Sequence, residues 1–455
     1  MATSLDHATT PPCLNCNIFK LLQDYARRIE EVEKTNSELA SRISELEAKL
    51  AKYESPHTPS SAQRFKKEPK GQTPKKRGAP KGHRGATRKI PIPDETIPVP
   101  TARCPRCGQD PGDPVDTEEK IVEELESAPK IKVTKYILDK HVCRHCGHPF
   151  TARHSACPTK GNFGVHLLVY ATMLKYHLRG PLRKVQDFMG HYNDFEISTK
   201  GVMDMLLRVG DACKSEYDRI QEKVRAANWR YIDETGIKIN GEQWWLWIFR
   251  TDKDDVLTVI RRSRGKKVVD EILGEDHVGP DVVDGWRAYS HINIVQRGWA
   301  HLLREVDDRK DVSDTGRRLS EETHSMFDEL KAFIGKDPPM SERKREKQEF
   351  EEKMEDLVER YSNFEELKKP VGYIRGGLGK WFTCLLYPGM EPTNNLGEQA
   401  MREHVIMRKI IGCFRSENGS QNYQYIASLF ASWKLQGKNI FVELEKLLRR
   451  ELCLA

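Results

Sequence analysis

The segment Arg230–Arg250, RYIDETGIKINGEQWWLWIFR, limits the fold most narrowly. Asn240-Gly241 separates two alternating runs. An Asn-Gly pair accepts left-handed φ at both turn positions, so the segment predicts a tight two-stranded hairpin. Ile237 and Ile239 alternate with polar residues before the turn, and Trp245, Trp247 and Phe249 alternate after it. Asp233 falls within the first strand. An ionised carboxylate in a sheet core must be paired or must hold a cation, because burial without a partner is costly. Two assignments follow. Asp233 either pairs with a base such as Arg250 or caps a turn at a strand end, or it is a metal ligand completed by acids from later in the chain.

Beyond the hairpin, Val256–Arg262 reads as a third strand and Lys266–Leu273 as a helix. Asp281-Val-Val-Asp284-Gly285 is a short apolar strand that ends in an acid and a turn. Three strands, a helix and a strand, with an aspartate on the first and last strands, is a ribonuclease-H-like order. In that fold the two strands lie side by side, so Asp233 and Asp284 converge on one metal site. Residues 305–370 are charged and helical. Ser341–Lys353 is almost wholly Glu, Lys, Arg and Gln, which suits a solvated helix face within an insertion. Next, Asn394 or Asn395 opens a helix that carries Glu398, Arg402, Arg408 and Lys409. Glu398 either closes a capping box with Asn395 or delivers a third carboxylate to the two strand acids. The basic residues on this helix and an Arg415–Ser420 loop suit a phosphate backbone. The rest, to Arg450, is amphipathic helix.

The N-terminal third has a different character. Leu22, Ile29, Asn36, Ile43 and Leu50 recur every seven residues, and Ile18, Tyr25, Val32, Leu39, Leu46 and Tyr53 form the companion series. That is a coiled-coil seam; Asn36 at an a position favours a parallel, in-register homodimer. Cys13 and Cys16 precede it, as free thiols or as a pair shared between two chains. From Arg64 to Lys89 there are eleven Lys or Arg and one acid, Glu68, among Pro, Gly, Ser and Thr. Such an arm, with Lys75, Lys76, Arg77, Lys81 and Arg84, can neutralise phosphates of double-stranded DNA and lie along a minor groove. Cys104-Pro-Arg-Cys107-Gly and Cys143-Arg-His-Cys146-Gly fit two turns that present four thiolates to a structural Zn2+. Lys130–Val142 between them reads as strands. In residues 160–226, Pro181–Met189 and Ser198–Val209 have helix–turn–helix spacing. Ser198 would cap the second helix, Val202, Met205, Leu206 and Val209 would form its buried stripe, and Lys200 would face outward. The same pattern also suits a helical pair in a core.

The whole chain has 455 residues, net charge +7 and eleven cysteines. Its start carries no basic-then-apolar leader and no apolar run spans a membrane, so the expectation is a cytoplasmic, nucleoid-associated protein with reduced thiols.

Taken together these residues resemble the DDE transposases of the insertion-sequence-66 type. The resemblance runs through the zipper-like N-terminus, the Gly78-Ala-Pro-Lys-Gly-His-Arg-Gly85 arm, the four-cysteine finger and Asp233-Glu-Thr-Gly236. It continues in Asp284-Gly-Trp-Arg-Ala-Tyr289, Trp299-Ala-His301, Asn394-Asn-Leu-Gly-Glu398 and Arg408-Lys409. It implies that Asp233, Asp284 and Glu398 are the catalytic acids, holding two Mg2+ or Mn2+ ions for cleavage of element ends and joining to target DNA. It also implies that element-encoded accessory proteins take part. Gly298 stands where the family often has Cys, so His301 is left out of the catalytic set. The expected organisation is multidomain α+β: a tail at 1–17, a coiled-coil helix at 18–54, a basic linker at 55–92 and a zinc-ribbon-like finger at 93–155. A helical DNA-binding region follows at 156–226. A ribonuclease-H-like core occupies 227–304 and 376–420, interrupted by a helical insertion at 305–375, and C-terminal helices fill 421–455. The competing readings are a sequence-specific DNA-binding regulator, a nuclease that cuts without joining, and an inactive transposase copy.

Overall fold

A computed structural model of the chain describes residues 14–54, 96, 130–142, 146, 148–151 and 154–453. Cys13, the arm cations Lys75, Lys76, Arg77, Lys81 and Arg84, and the thiols Cys104, Cys107 and Cys143 lie outside the described residues.

Helix α1 (Leu14–Glu54) spans the heptad segment. Tyr25, Ile29, Val32, Leu39, Ile43 and Leu46 are all exposed along it. Strands β1 (Lys140–Val142) and β2 (Pro149–Thr151) pair antiparallel on either side of exposed Cys146. The strand expected over Lys130–Val142 is thus confined to its last three residues. Strand propensity needs a partner edge, and the described residues offer only the three of β2.

Helices α2 (Val165–Thr172), α3 (Leu182–Asn193) and α4 (Thr199–Ala226) follow. Ser198 caps α4 as its sequence position predicts, with its hydroxyl accepting from Gly201 N at 3.1 Å. Val202, Met205, Leu206 and Val209 are buried. The helix continues well past Val209 to Ala226 and packs against β5 and α11 described below, so it serves as scaffold along most of its length. Two compact units are distinguished. The larger contains the main sheet and its helices, and the smaller includes Gln186–Ile197, where Phe188 and Tyr192 stack at 4.9 Å.

The main sheet is mixed and five-stranded, in the order β5-β4-β3-β6-β7. Strand β3 (Arg230–Ile239) and β4 (Glu242–Thr251) form the predicted hairpin; Asn240 and Gly241 have φ of 48° and 85°, the left-handed pair that an Asn-Gly turn supplies. Strand β5 (Val256–Arg261) pairs antiparallel with β4, and helix α5 (Lys266–Leu273) leads to β6 (Asp281–Val283). β6 lies parallel to β3, and β7 (Val295–Arg297) parallel to β6. A mixed sheet with helices in this order is consistent with a ribonuclease-H-like DDE core. Arg230 and Asp281, opposite one another at the start of β3 and β6, form a buried ion pair at 2.8 Å. His277 reaches the second Asp281 oxygen at 2.5 Å. Arg230 also donates to Val224 O and Ala227 O, so its buried charge is extensively hydrogen-bonded.

Alternation along β3 sends Tyr231, Asp233, Thr235, Ile237 and Ile239 to one face and Ile232 and Glu234 to the other. On the first face Ile237, Ile239, Leu246 and Ile248 pack against Met401 and Met407 of α10 (Asn395–Ile411) and Tyr423 of α11 (Glu417–Leu435). Tyr231 and Val282 pack with Trp299 and Leu302 of α6 (Trp299–Asp307). The same core takes in α7 (Asp314–Gly335), α8 (Met340–Tyr361) and α9 (Lys368–Arg375), the charged helical segment. Most of Ser341–Lys353 is exposed, as its composition predicts. Helix α12 (Ile440–Cys453) closes the described chain. Arg415–Ser420 is not a loop: Ser416 caps α11, accepting from Gly419 N at 3.1 Å, and the helix starts at Glu417.

The outer edge of β5 is sealed by a helix. Ser432, Ser428 and Gln424 of α11 accept from Val256 N, Thr258 N and Ile260 N at 2.8, 2.8 and 3.1 Å. The match is geometric: four helical residues advance about 6 Å and two strand residues about 6.7 Å. An edge that would otherwise present free N–H groups to another chain is thereby closed.

Candidate active site

The last paired residues of β3 and β6 are Tyr231 and Val282. Carried two residues on, this register sets Asp233, inside β3, beside Asp284, which follows the carboxyl end of β6. Asp233 Oδ1 accepts from Glu234 N at 2.9 Å and Asp284 Oδ1 from Trp286 N at 2.8 Å. Arg250 does not neutralise Asp233. It pairs with Asp254 at 2.7 Å and donates to Leu396 O at 3.0 Å, tying the start of α10 to β4. Burial, and then the charges of Glu234, Asp284 and Glu398, hold the Asp233 carboxyl well above the ordinary range. The crowding of these acids thus disfavours ionisation of Asp233.

Glu398 comes from the first turn of α10, on the Asp233 face of the sheet. The capping-box reading of Glu398 does not hold, because the N-cap is Asn394, not Asn395. Asn394 Nδ2 instead donates to Ile232 O at 3.0 Å, which pins the helix start to β3 beside Asp233. The Glu398 side chain reaches His301 Nε2 at 3.3 Å and Arg304 Nη2 at 3.2 Å, both through Oε1. The hydrogen bond from His301 and the two positive charges lower its pKa below the ordinary value. Gly298, which precedes α6, lies against Asn394: a β-carbon there would sit 3.4 Å from Asn394 Cβ and N.

Behind Asp233, on the opposite face, Glu234 is buried between Arg264, at 2.8 Å, and the Tyr289 hydroxyl. Burial and the Asp284 charge raise it to about 7 despite the guanidinium. Arg264 in turn lies 3.8 Å over the Trp286 ring. Sequence reasoning missed this network, and missed the His301–Arg304 pair. The available signals were the adjacency of Glu234 to Asp233 and the i, i+3 spacing of His301 and Arg304 on one helix face.

The other predicted residues are distributed as follows. Lys200 is exposed and pairs with Asp204 at 2.6 Å. Arg402, Lys409 and Arg415 are exposed. Arg408 is half-buried and donates to Thr235 Oγ1 at 3.1 Å and Gly236 O at 2.7 Å, so it helps fasten α10 to β3. Glu403, also on α10, pairs instead with Arg179 and with Lys434.

A family model described as Transposase IS66 family matches residues 160–422, more than half of the chain. The chain belongs to the IS66 family of transposases. No curated protein matches it. A transposase acts on DNA, and DDE transposases generally use divalent metal. The donor chemistry of this transposase fits such an ion: three carboxylates, with oxygen ligands suited to Mg2+ or Mn2+. The crowding of Asp233 by Asp284 and Glu398 is the electrostatic condition that a bound cation relieves. Among the described residues no three metal-ligating side chains converge as they stand. Glu398 is the member engaged elsewhere, by His301 and Arg304. Among the described residues no helix is long and apolar enough to cross a membrane.

Proposed function

We propose that this transposase cleaves DNA at the ends of a mobile element and joins the freed ends to target DNA, with Asp233, Asp284 and Glu398 as the catalytic, metal-holding acids. The observation that carries this reading is the parallel β3–β6 pairing, which brings two sequence-distant aspartates together on the face that receives the α10 glutamate. Mg2+ or Mn2+ held there would supply Lewis-acid stabilisation of the charge that develops on phosphodiester oxygens. Asp233 and Asp284 give it two oxygen donors on a rigid sheet, and Asn394 fixes the register of the helix that bears the third. Exposed Lys200, Arg402, Lys409 and Arg415 would contact phosphates, which position the duplex without reading its sequence.

The N-terminal third would serve recognition and assembly. A parallel homodimer through the 18–54 seam is supported by its exposed apolar stripe and by Asn36, and it would hold the two element ends together. A structural Zn2+ on Cys104, Cys107, Cys143 and Cys146 and the basic arm would grip the ends. The test is cleavage of duplex carrying the element ends. Asp233→Asn and Asp284→Asn should bind this DNA and fail to cut it, and full cleavage by either variant overturns the assignment. A strand-transfer assay separates joining from cutting alone.

A further inference from the structure

His301 and Arg304 converge on a single oxygen of the glutamate that the metal site needs. The two requirements conflict, since contacts from His301 and Arg304 to Glu398 Oε1 compete with a divalent ion for the same lone pairs. The frame that carries the pair is fixed. Trp299, at the start of α6, is fully buried and donates through Nε1 to Trp381 O at 2.8 Å. Gly298 N donates to Val283 O at 3.0 Å, which ties the approach to α6 to the residue preceding Asp284. The pair therefore stands beside the strand end that carries Asp284. Arg304 has 54% of its side chain exposed, so a ligand in solvent can reach it. His301 Nδ1 is buried with no hydrogen-bond partner among the described residues, which leaves Nε2 as its working atom. A guanidinium and an imidazole one helical turn apart are a better match to a phosphate than to a lone carboxylate oxygen, because the guanidinium fork can take two phosphate oxygens.

We propose that His301 and Arg304 form a phosphate-binding pair, occupied by Glu398 in the absence of DNA, and that a DNA phosphate displaces Glu398 and frees it for the metal site. The proposal rests on the three-acid reading above. Metal affinity and DNA affinity are then coupled: each strengthens the other through the release of Glu398.

The test is Mn2+ affinity of the full-length protein, followed by electron paramagnetic resonance, with and without duplex carrying the element ends. Duplex should tighten Mn2+ binding in the wild type. Arg304→Ala should tighten Mn2+ binding without DNA by up to about fivefold, the factor matching loss of one half-exposed ion pair. Duplex should then add little in that variant. Arg304→Ala that weakens or leaves unchanged the DNA-free affinity, with DNA still tightening it, overturns the proposal. Asp233→Asn serves as the control on the parent reading. Mn2+ binding that survives Asp233→Asn overturns the three-acid site itself, whatever Arg304→Ala does.

Discussion

Ser428→Ala isolates one rung of the seal between α11 and β5. Ser428 and Thr258 are both fully buried. The Ser428 hydroxyl accepts from Thr258 N at 2.8 Å and donates to Gln424 O at 2.7 Å. Gln424 O lies within a helix and keeps its backbone partner in the variant. Thr258 N–H, on an edge strand, keeps none and has no route to water. The cost is thus that of one buried, unsatisfied amide, about 1–3 kcal/mol, with only a small cavity added. For a core of this size it corresponds to a fall in Tm of roughly 4 °C. Thermal melts of the two proteins give the stability change, and hydrogen exchange at the Thr258 amide locates it. A stability change under about 0.5 kcal/mol, with Thr258 equally protected, would refute the claim that α11 seals this edge.

Three further outcomes are expected. His404 is buried, bonded to the Tyr423 hydroxyl at 2.7 Å, and burial lowers its pKa to about 4 from 6.5. As pH falls from 6.5 toward 4 the unfolded chain takes up a proton that folded His404 refuses, so stability declines across that window by up to about 3 kcal/mol. His404→Gln should flatten this part of the pH–stability curve. Because the Asp233 carboxyl is held above its ordinary range, cation binding must displace its proton, and Mn2+ affinity should rise with pH until that carboxyl is ionised. A pH-independent affinity would contradict the crowding described for Asp233. Arg408→Ala should lower stability by about 1–3 kcal/mol through loss of its bonds to β3. Exposed Lys409→Ala should cost less stability than Arg408→Ala and reduce the salt dependence of DNA binding by about one unit of slope. Urea melts and salt-titrated gel shifts separate the two.

What the sequence made legible was local chemistry. Asn240-Gly241 fixes the hairpin by itself, since few residue pairs tolerate left-handed φ twice in succession. Ser198 and the stripe Val202, Met205, Leu206 and Val209 were readable because a cap and a buried face depend on near neighbours. Placing Asp233 beside Asp284 needed one fold-level assumption, and the β3–β6 register agrees with it. The partners of Glu398 were not legible, because they come from a distant helix and only packing brings them together. Gly298 misdirected the reading of His301: the missing cysteine said nothing about imidazole contact with a glutamate. Charge counting likewise placed Arg408 among the phosphate contacts, although its guanidinium bonds to Thr235 and Gly236. The strand expected over Lys130–Val142 shrank because β propensity without a partner edge does not make a strand. Arg415–Ser420 reads as a loop from its polar composition, whereas Ser416 capping Gly419 N makes it a helix start.

The most direct measurement is cleavage of labelled DNA carrying the flanking ends of this element, in Mg2+ or Mn2+, by wild type and Glu398→Gln. Wild type should cut at the ends, and Glu398→Gln should bind the same DNA and leave it whole. Equal cutting by both would remove Glu398 from the site and reduce it to a surface partner of His301 and Arg304.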